Sequence, residues 1–312
     1  MKRYFLPLLL AVLLLLPAIA FAEIPEDVFT TEEQVTEDRE GGHWAYSSDV
    51  LSIQIERRHK TVTAENGDEK PLVYYVAHIY ERTYNSYRSG FGDGGRISPT
   101  KLEKPAAITR RDRAVFAITG DNITQQEPEL KGAILRDGRV FNDRGGEAVM
   151  AINDDLSIKV YLRGEINATE LMEMGVRETY SFGPWLIKDG EANPDVARFR
   201  VNRINPRVGL GMIEPGHLVA IVVDGRQDRY SYGLTLPEFR DMFVEEGCVE
   251  AYNLDGGCST GMIFMGEHLN YHDGGPNAAD YQRPWVDALE WGYSELVPTT
   301  SDPYLYNGNQ EG

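Results

Sequence analysis

Between Val50 and Met265, short runs of Val, Ile, Tyr and Ala recur between glycine-containing turns. Runs this short and this rich in β-branched and aromatic residues bury themselves in sheets rather than in helices. Val50 to Glu56 alternates apolar with polar, Glu65-Asn66-Gly67-Asp68-Glu69 is a turn, and Leu72 to Tyr80 is a second strand, so the chain opens on an antiparallel pair. Arg113 to Ile118 reads as a buried strand ending at Thr119-Gly120-Asp121-Asn122. A hairpin is expected around Arg136-Asp137-Gly138-Arg139, with strands near Val149 and Ile158. Arg207 to Met212 and Leu218 to Val223 pair across Glu214-Pro215-Gly216-His217, Val249 to Tyr252 forms a short strand, and Ile263-Phe264-Met265 a final core strand.

Helices are few and short. Pro105 to Arg111 is one, Ala168 to Met174 another, with Asn167 as its N-cap although Asn167-Ala168-Thr169 also matches a glycosylation sequon. Thr235-Leu236-Pro237-Glu238 starts a third with a capping box and a first-turn proline, and Gly247 stops it. That helix joins two strands ending at Asp224 and Asp255, which places both acids at one sheet edge. The expected class is α+β: one domain over residues 46–300, on a mixed, largely antiparallel β core with a few short helices.

The ends have a different composition. Met1-Lys2-Arg3, an apolar run from Tyr4 to Ala20 and Ala20-Phe21-Ala22 form a secretory signal over residues 1–22, with an uncleaved anchor as the alternative. The formal charge of −18 becomes −20 once Lys2 and Arg3 leave. Glu23 to Glu40 holds eight acids against one arginine, so residues 23–45 are expected to be an acidic flexible spacer, and 301–312 a polar tail. So acidic a chain excludes nucleic acid as a partner, and beyond the leader no run is long enough to hold it in a membrane. The oligomeric state is not legible. Cys248 and Cys258 flank an extended stretch too long for a bridge and are read as free thiols.

Chemistry concentrates in Asn253-Leu254-Asp255-Gly256-Gly257-Cys258-Ser259-Thr260-Gly261. An acid, two glycines and two hydroxyls at the end of a strand let a carboxylate and backbone N–H groups converge on a small polar ligand such as a sugar or phosphate. A tight turn capped by Asp255 is the plainer reading of the same letters. Gly257-Cys258-Ser259-Thr260-Gly261 also spells a nucleophile elbow, but a strand follows where an elbow needs a helix.

With Thr119-Gly120-Asp121, Ser181-Phe182-Gly183-Pro184, Asn205-Pro206-Arg207-Val208-Gly209-Leu210-Gly211, Asp224-Gly225-Arg226 and Ser231-Tyr232-Gly233 in order before it, this stretch resembles the phosphodiester glycosidase family over about Leu72 to Tyr271. Members of that family remove N-acetylglucosamine from a phosphodiester, and others are exported, exopolysaccharide-related bacterial proteins. The family pattern usually has Asn where Thr119 stands and Gly where Cys258 stands.

The resemblance implies an exported hydrolase of glycosyl 1-phosphodiesters or phosphate-containing polysaccharides, with a non-catalytic sugar-phosphate-binding module as the alternative. It assigns Asp255, Asp224 and Asp121 to the chemistry, Asp255 as nucleophile or base, and Arg207 and Arg226 to a phosphate clamp. Gly256, Gly257 and Ser259 would cradle substrate, with Asn253, Thr260, Gly120, Thr119 and Ser231 as further contacts. No cofactor is required by this pattern. Three strand-end aspartates could hold a divalent cation such as calcium, although they lack calcium-loop spacing.

Overall fold

The computed structural model describes residues 24–95, 102–121, 132–143, 148–271 and 283–299. The expected signal over residues 1–22, Asn122 and the expected tail over 301–312 lie outside them. Two large sheets carry the core. The first has nine strands in the order Gln34–Asp38, His43–Ser47, Leu51–Thr63, Glu69–Glu81, His217–Val223, Arg207–Glu214, Glu250–Asn253, Trp185–Lys188 and Glu191–Ala192. The second has five: Glu267–His268, Met262–Phe264, Phe116–Thr119, Asp287–Trp291 and Tyr87–Phe91. A three-stranded sheet (Ile158–Leu162, Ala148–Ile152, Glu178–Tyr180) and the hairpin Ala133–Arg136/Arg139–Asp143 complete the β structure. Every pairing between these named strands is antiparallel, and with few helices the class is α+β as expected.

One face of the nine-stranded sheet packs Ile53, Tyr75, Ile79, Leu210 and Val222 into a core shared with Phe116, Ile118, Leu289 and Trp291 of the second sheet. The other face carries Val219, Ile221 and Val223 under Phe239, Met242 and Phe243 of the helix Leu236–Glu245. Thr235 and Glu238 cap that helix reciprocally, as the sequence pattern predicts. His217–Val223 and Glu250–Asn253 both run antiparallel to the strand between them, so Asp224 and Asp255 leave the sheet at the same edge.

Two differences from the sequence reading matter. Gln34–Asp38 is an edge strand paired to His43–Ser47 rather than spacer. All five of its residues are exposed, and Glu37 and the preceding Glu33 accept hydrogen bonds: Tyr46 donates to Glu33 at 2.8 Å, Ser294 to Glu33 at 2.9 Å and Arg39 to Glu37 at 2.9 Å. Acidity alone therefore does not prevent ordering when the backbone finds a ladder. Second, Ile263 does not lie on the last core strand. Asp287–Trp291, buried at all five positions, sits in the second sheet between Phe116–Thr119 and Tyr87–Phe91.

Candidate functional site

The strand Phe116–Thr119 ends in Gly120-Asp121, and the strand Glu250–Asn253 ends in Leu254-Asp255, so two acids are delivered to the seam between the large sheets. A backbone bond holds the two ends together, Asp255 N donating to Gly120 O at 3.2 Å, while Leu254 N donates to Val208 O of the neighbouring strand Arg207–Glu214 at 2.8 Å. Gly256 packs against Pro206, where an added Cβ would lie 2.7 Å from the Pro206 carbonyl oxygen. Gly257–Ser259 then forms one 3-10 turn before Met262–Phe264 begins, a strand where a serine nucleophile elbow would need a helix.

Asp121, Asp255, Thr119, Ser259, Arg283 and Asp287 line a common pocket of about 10 Å³, with Leu102, Pro284, Trp285 and Val286 as the apolar wall. Burial pushes the Asp255 carboxyl up to about 6, against a hydrogen bond from Ser259 and the Arg283 charge, while the Asp121 charge pushes it further up. A carboxyl held there titrates close to neutrality. Thr119 does not present its hydroxyl to the pocket; it donates to Ser259 O at 2.5 Å, and Trp285 Nε1 donates to the same carbonyl at 2.8 Å.

Asp121 is buried, and its two oxygens accept from the backbone N–H groups of Ser181 (3.1 and 2.8 Å) and Phe182 (2.8 Å). Beneath it lies Arg136, fully buried, whose Nη2 reaches Asp121 Oδ2 at 3.3 Å and Asp287 Oδ2 at 2.6 Å. Its Nη1 donates to the carbonyls of Leu135 (2.9 Å) and Thr179, and its guanidinium lies 4.2 Å over the Tyr180 ring. Burial raises both carboxyls and Arg136 opposes it, with Asp287 pushed up to about 7. Three N–H bonds and the same cation favour the charge on Asp121.

The other expected residues stand elsewhere. Arg207, expected in the phosphate clamp, donates from Nε to Leu234 O at 3.0 Å and from Nη2 to Val201 O at 3.0 Å and to Arg203 O, so the guanidinium ties loops together. Burial and the neighbouring Arg226 charge lower it to about 10. Asp224, expected in the chemistry, stands apart from Asp255. It lies fully buried outside the pocket, accepting from Asn270 Nδ2 at 2.9 Å, Tyr271 N at 3.1 Å and Tyr230 Oη at 3.1 Å, and burial lifts it to about 6. Ser231 is likewise structural, donating to Asp224 O at 2.7 Å.

Arg226 is exposed, with Nη2 2.9 Å from Asn205 Oδ1 and Nη1 3.0 Å from Cys258 Sγ, next to Gly257. The cradle is narrower than expected, because Gly257 N, Ser259 N and Thr260 N bond to Pro206, Gly256 and Gly257 carbonyls. Asn253 donates to Gly183 O at 2.7 Å, and among the described residues its Oδ1 and Thr260 Oγ1 are buried without a partner. Cys248 and Cys258 form no disulfide. Among the described residues no group of His, Cys, Asp and Glu is arranged to hold a metal. A larger cavity of about 310 Å³, lined by Tyr84, Tyr87, Arg88, Phe91, Arg177 and Glu178 among others, contains none of the expected site residues.

Arg136, Arg283 and Asp287 were not among the sequence candidates. A signal existed: Arg136 follows Ala133-Ile134-Leu135 and Asp287 stands between Trp285-Val286 and Ala288-Leu289, a lone charge in each apolar run.

Residues 112–289 match the family model described as phosphodiester glycosidase. The SPbeta prophage-derived uncharacterized protein YomE of Bacillus subtilis is 31% identical over 276 residues, covering 80% of this chain and 41% of the relative. The N-acetylglucosamine-1-phosphodiester alpha-N-acetylglucosaminidase of Bos taurus is 26% identical over 210 residues, covering 61% of this chain and 38% of the relative. The chain thus spans about two-fifths of the length of these curated relatives. The catalytic domain of the zebrafish enzyme of that name, auto-inhibited by its pro-peptide, shares the fold with a TM-score of 0.62 at 20% identity, covering 84% of this chain and 88% of that one.

Proposed function

We propose, because this chain belongs to the phosphodiester glycosidase family, that it hydrolyses glycosyl 1-phosphodiesters at the anomeric C–O bond. The products would be a sugar such as N-acetylglucosamine, which the bovine relative's name supports, and a phosphomonoester. The observation that carries this reading is the meeting of Asp255 with Arg283 in one pocket that also holds Asp121. Breaking the anomeric bond needs a carboxylate at C1 to act as nucleophile or base, and a cation for the charge gathering on the departing phosphate. Asp255 supplies the first. Arg283, and Arg226 from the adjoining loop, supply the second in place of Arg207.

The leader over residues 1–22 supports export, and with it a substrate in cell-wall or exopolysaccharide material. Among the described residues no helix is long and apolar enough to cross a membrane. The test is turnover of N-acetylglucosamine 1-phosphodiesters in heavy-oxygen water. Label is expected at C1 of the released sugar; label in the phosphate would make the protein a phosphodiesterase, and binding without turnover would make it a lectin-like module.

A further inference from the structure

We propose that Asp287 is the proton donor to the phosphate oxygen that leaves the anomeric carbon, an assignment that rests on the phosphodiester reading above. Asp287 is 1% exposed and opens the strand Asp287–Trp291 at the wall of the pocket it shares with Asp255. Its Oδ2 is satisfied twice by Arg136, at 3.2 Å from Nε and 2.6 Å from Nη2. Its Oδ1 is buried with no hydrogen-bond partner among the described residues. A carboxyl serving only to neutralise Arg136 would need Oδ2 alone, and a buried oxygen without a partner is unfavourable unless a ligand completes it. Protonated at Oδ1, the same group becomes a donor awaiting an acceptor in the pocket.

The surroundings favour that form. Asp121 and Glu178 press negative charge on Asp287, Arg136 opposes them, and Asp255 and Arg283 face the same pocket. Burial holds the carboxyl at about 7, so the proton is present up to neutrality. In the step itself the C1–O bond breaks with its electron pair going to the bridging phosphate oxygen, which takes the proton from Asp287 Oδ1. Asp255 either bonds to C1 or deprotonates the water that does. In the first case water then displaces Asp255, giving its proton to the Asp287 carboxylate; in the second, solvent reprotonates Asp287. A phosphomonoester has a second pKa of about 6, so it leaves with only partial help, and the contribution of the donor falls at the low end of the range for general acids, about a hundredfold.

Asp287→Asn separates donation of a hydrogen bond from donation of a proton, because the amide can do the first only. With N-acetylglucosamine 1-(methyl phosphate), kcat should fall about a hundredfold, and the decline of kcat as pH rises through about 7 should vanish. With N-acetylglucosaminyl fluoride, whose leaving group needs less proton assistance, the same variant should lose less than about fivefold. Gly120→Ala supplies a second probe, since its Cβ would lie 2.9 Å from Asp287 Oδ1 and force that oxygen to shift; it should show the same selectivity. Equal losses on both substrates, or an unchanged pH profile in Asp287→Asn, overturn the assignment. A wild-type protein inert on the phosphodiester would instead overturn the reading beneath it.

Discussion

Replacing Arg136 with Met removes the cation that donates to both Asp121 and Asp287. The two acids respond differently. Asp121 keeps the N–H bonds from Ser181 and Phe182, whereas Asp287 loses both of its donors. Removing one partner of a buried ion pair costs about 3–5 kcal/mol, and Met refills most of the volume over Tyr180. The pH dependence identifies the acid responsible. In the native protein Asp287 has a folded value of about 7 against an ordinary value of 3.8, so its contribution to stability is fully present below the ordinary value and is lost as pH rises to about 7. Without Arg136 the folded value rises further, and the loss continues above pH 7 at up to about 1.4 kcal/mol per pH unit. Urea unfolding at pH 5 and pH 8 should therefore give a deficit about 1.4 kcal/mol larger at pH 8. Adding Asp287→Asn to the Met variant removes the need for both cation and proton, so the double variant should be more stable at pH 8 than Arg136→Met alone. A double variant that is less stable, with the two losses simply adding, would refute the pairing.

Arg207→Ala should destabilise the fold by about 2–3 kcal/mol in urea unfolding through the loss of carbonyl partners at 201, 203 and 234, with kcat of the folded fraction changed less than about threefold; intact stability with a hundredfold loss of kcat would restore the clamp. Thr119→Val removes the hydroxyl that holds the Ser259 carbonyl, and should lower kcat several-fold with a stability loss of about 1 kcal/mol, read by turnover and melting; unchanged kcat would free the Asp255 loop from Thr119. Asp224, Asp255, Asp287, Glu290 and Glu81 are raised by burial to between about 6 and 8, so calorimetry should show the melting temperature falling from pH 5 to pH 8, and Glu290→Gln should flatten part of that slope.

The legible parts of the fold were those in which side-chain pattern and burial agree. Leu51–Thr63 and Glu69–Glu81 alternate or run apolar around an Asn-Gly turn, and they pair as read. Among the strands that escaped are Tyr87–Phe91 and Asp287–Trp291, which carry Arg88, Asp287 and Glu290 among apolar residues. In one dimension those charges look like surface. In three dimensions Arg88 Nε meets Glu290 Oε2 at 3.0 Å and Arg136 meets Asp287, so each strand enters the interior with its charge opposed from another segment.

The same distinction separates the site residues that could be read from those that could not. Asp121 and Asp255 were visible because a glycine turn at the end of a buried strand is a local signature. Whether a charged group is available to substrate is not local, since it depends on which of its atoms the fold has already engaged. Arg207 looks like a phosphate ligand until its N–H groups are found on three carbonyls, and Asp224 looks catalytic until three donors close around it. Asp287 stands at the opposite extreme, carrying a buried oxygen that no group among the described residues engages. Among acids of similar burial, an unengaged atom in a pocket wall is therefore the more selective sign of chemistry, because its desolvation is offset only when substrate arrives.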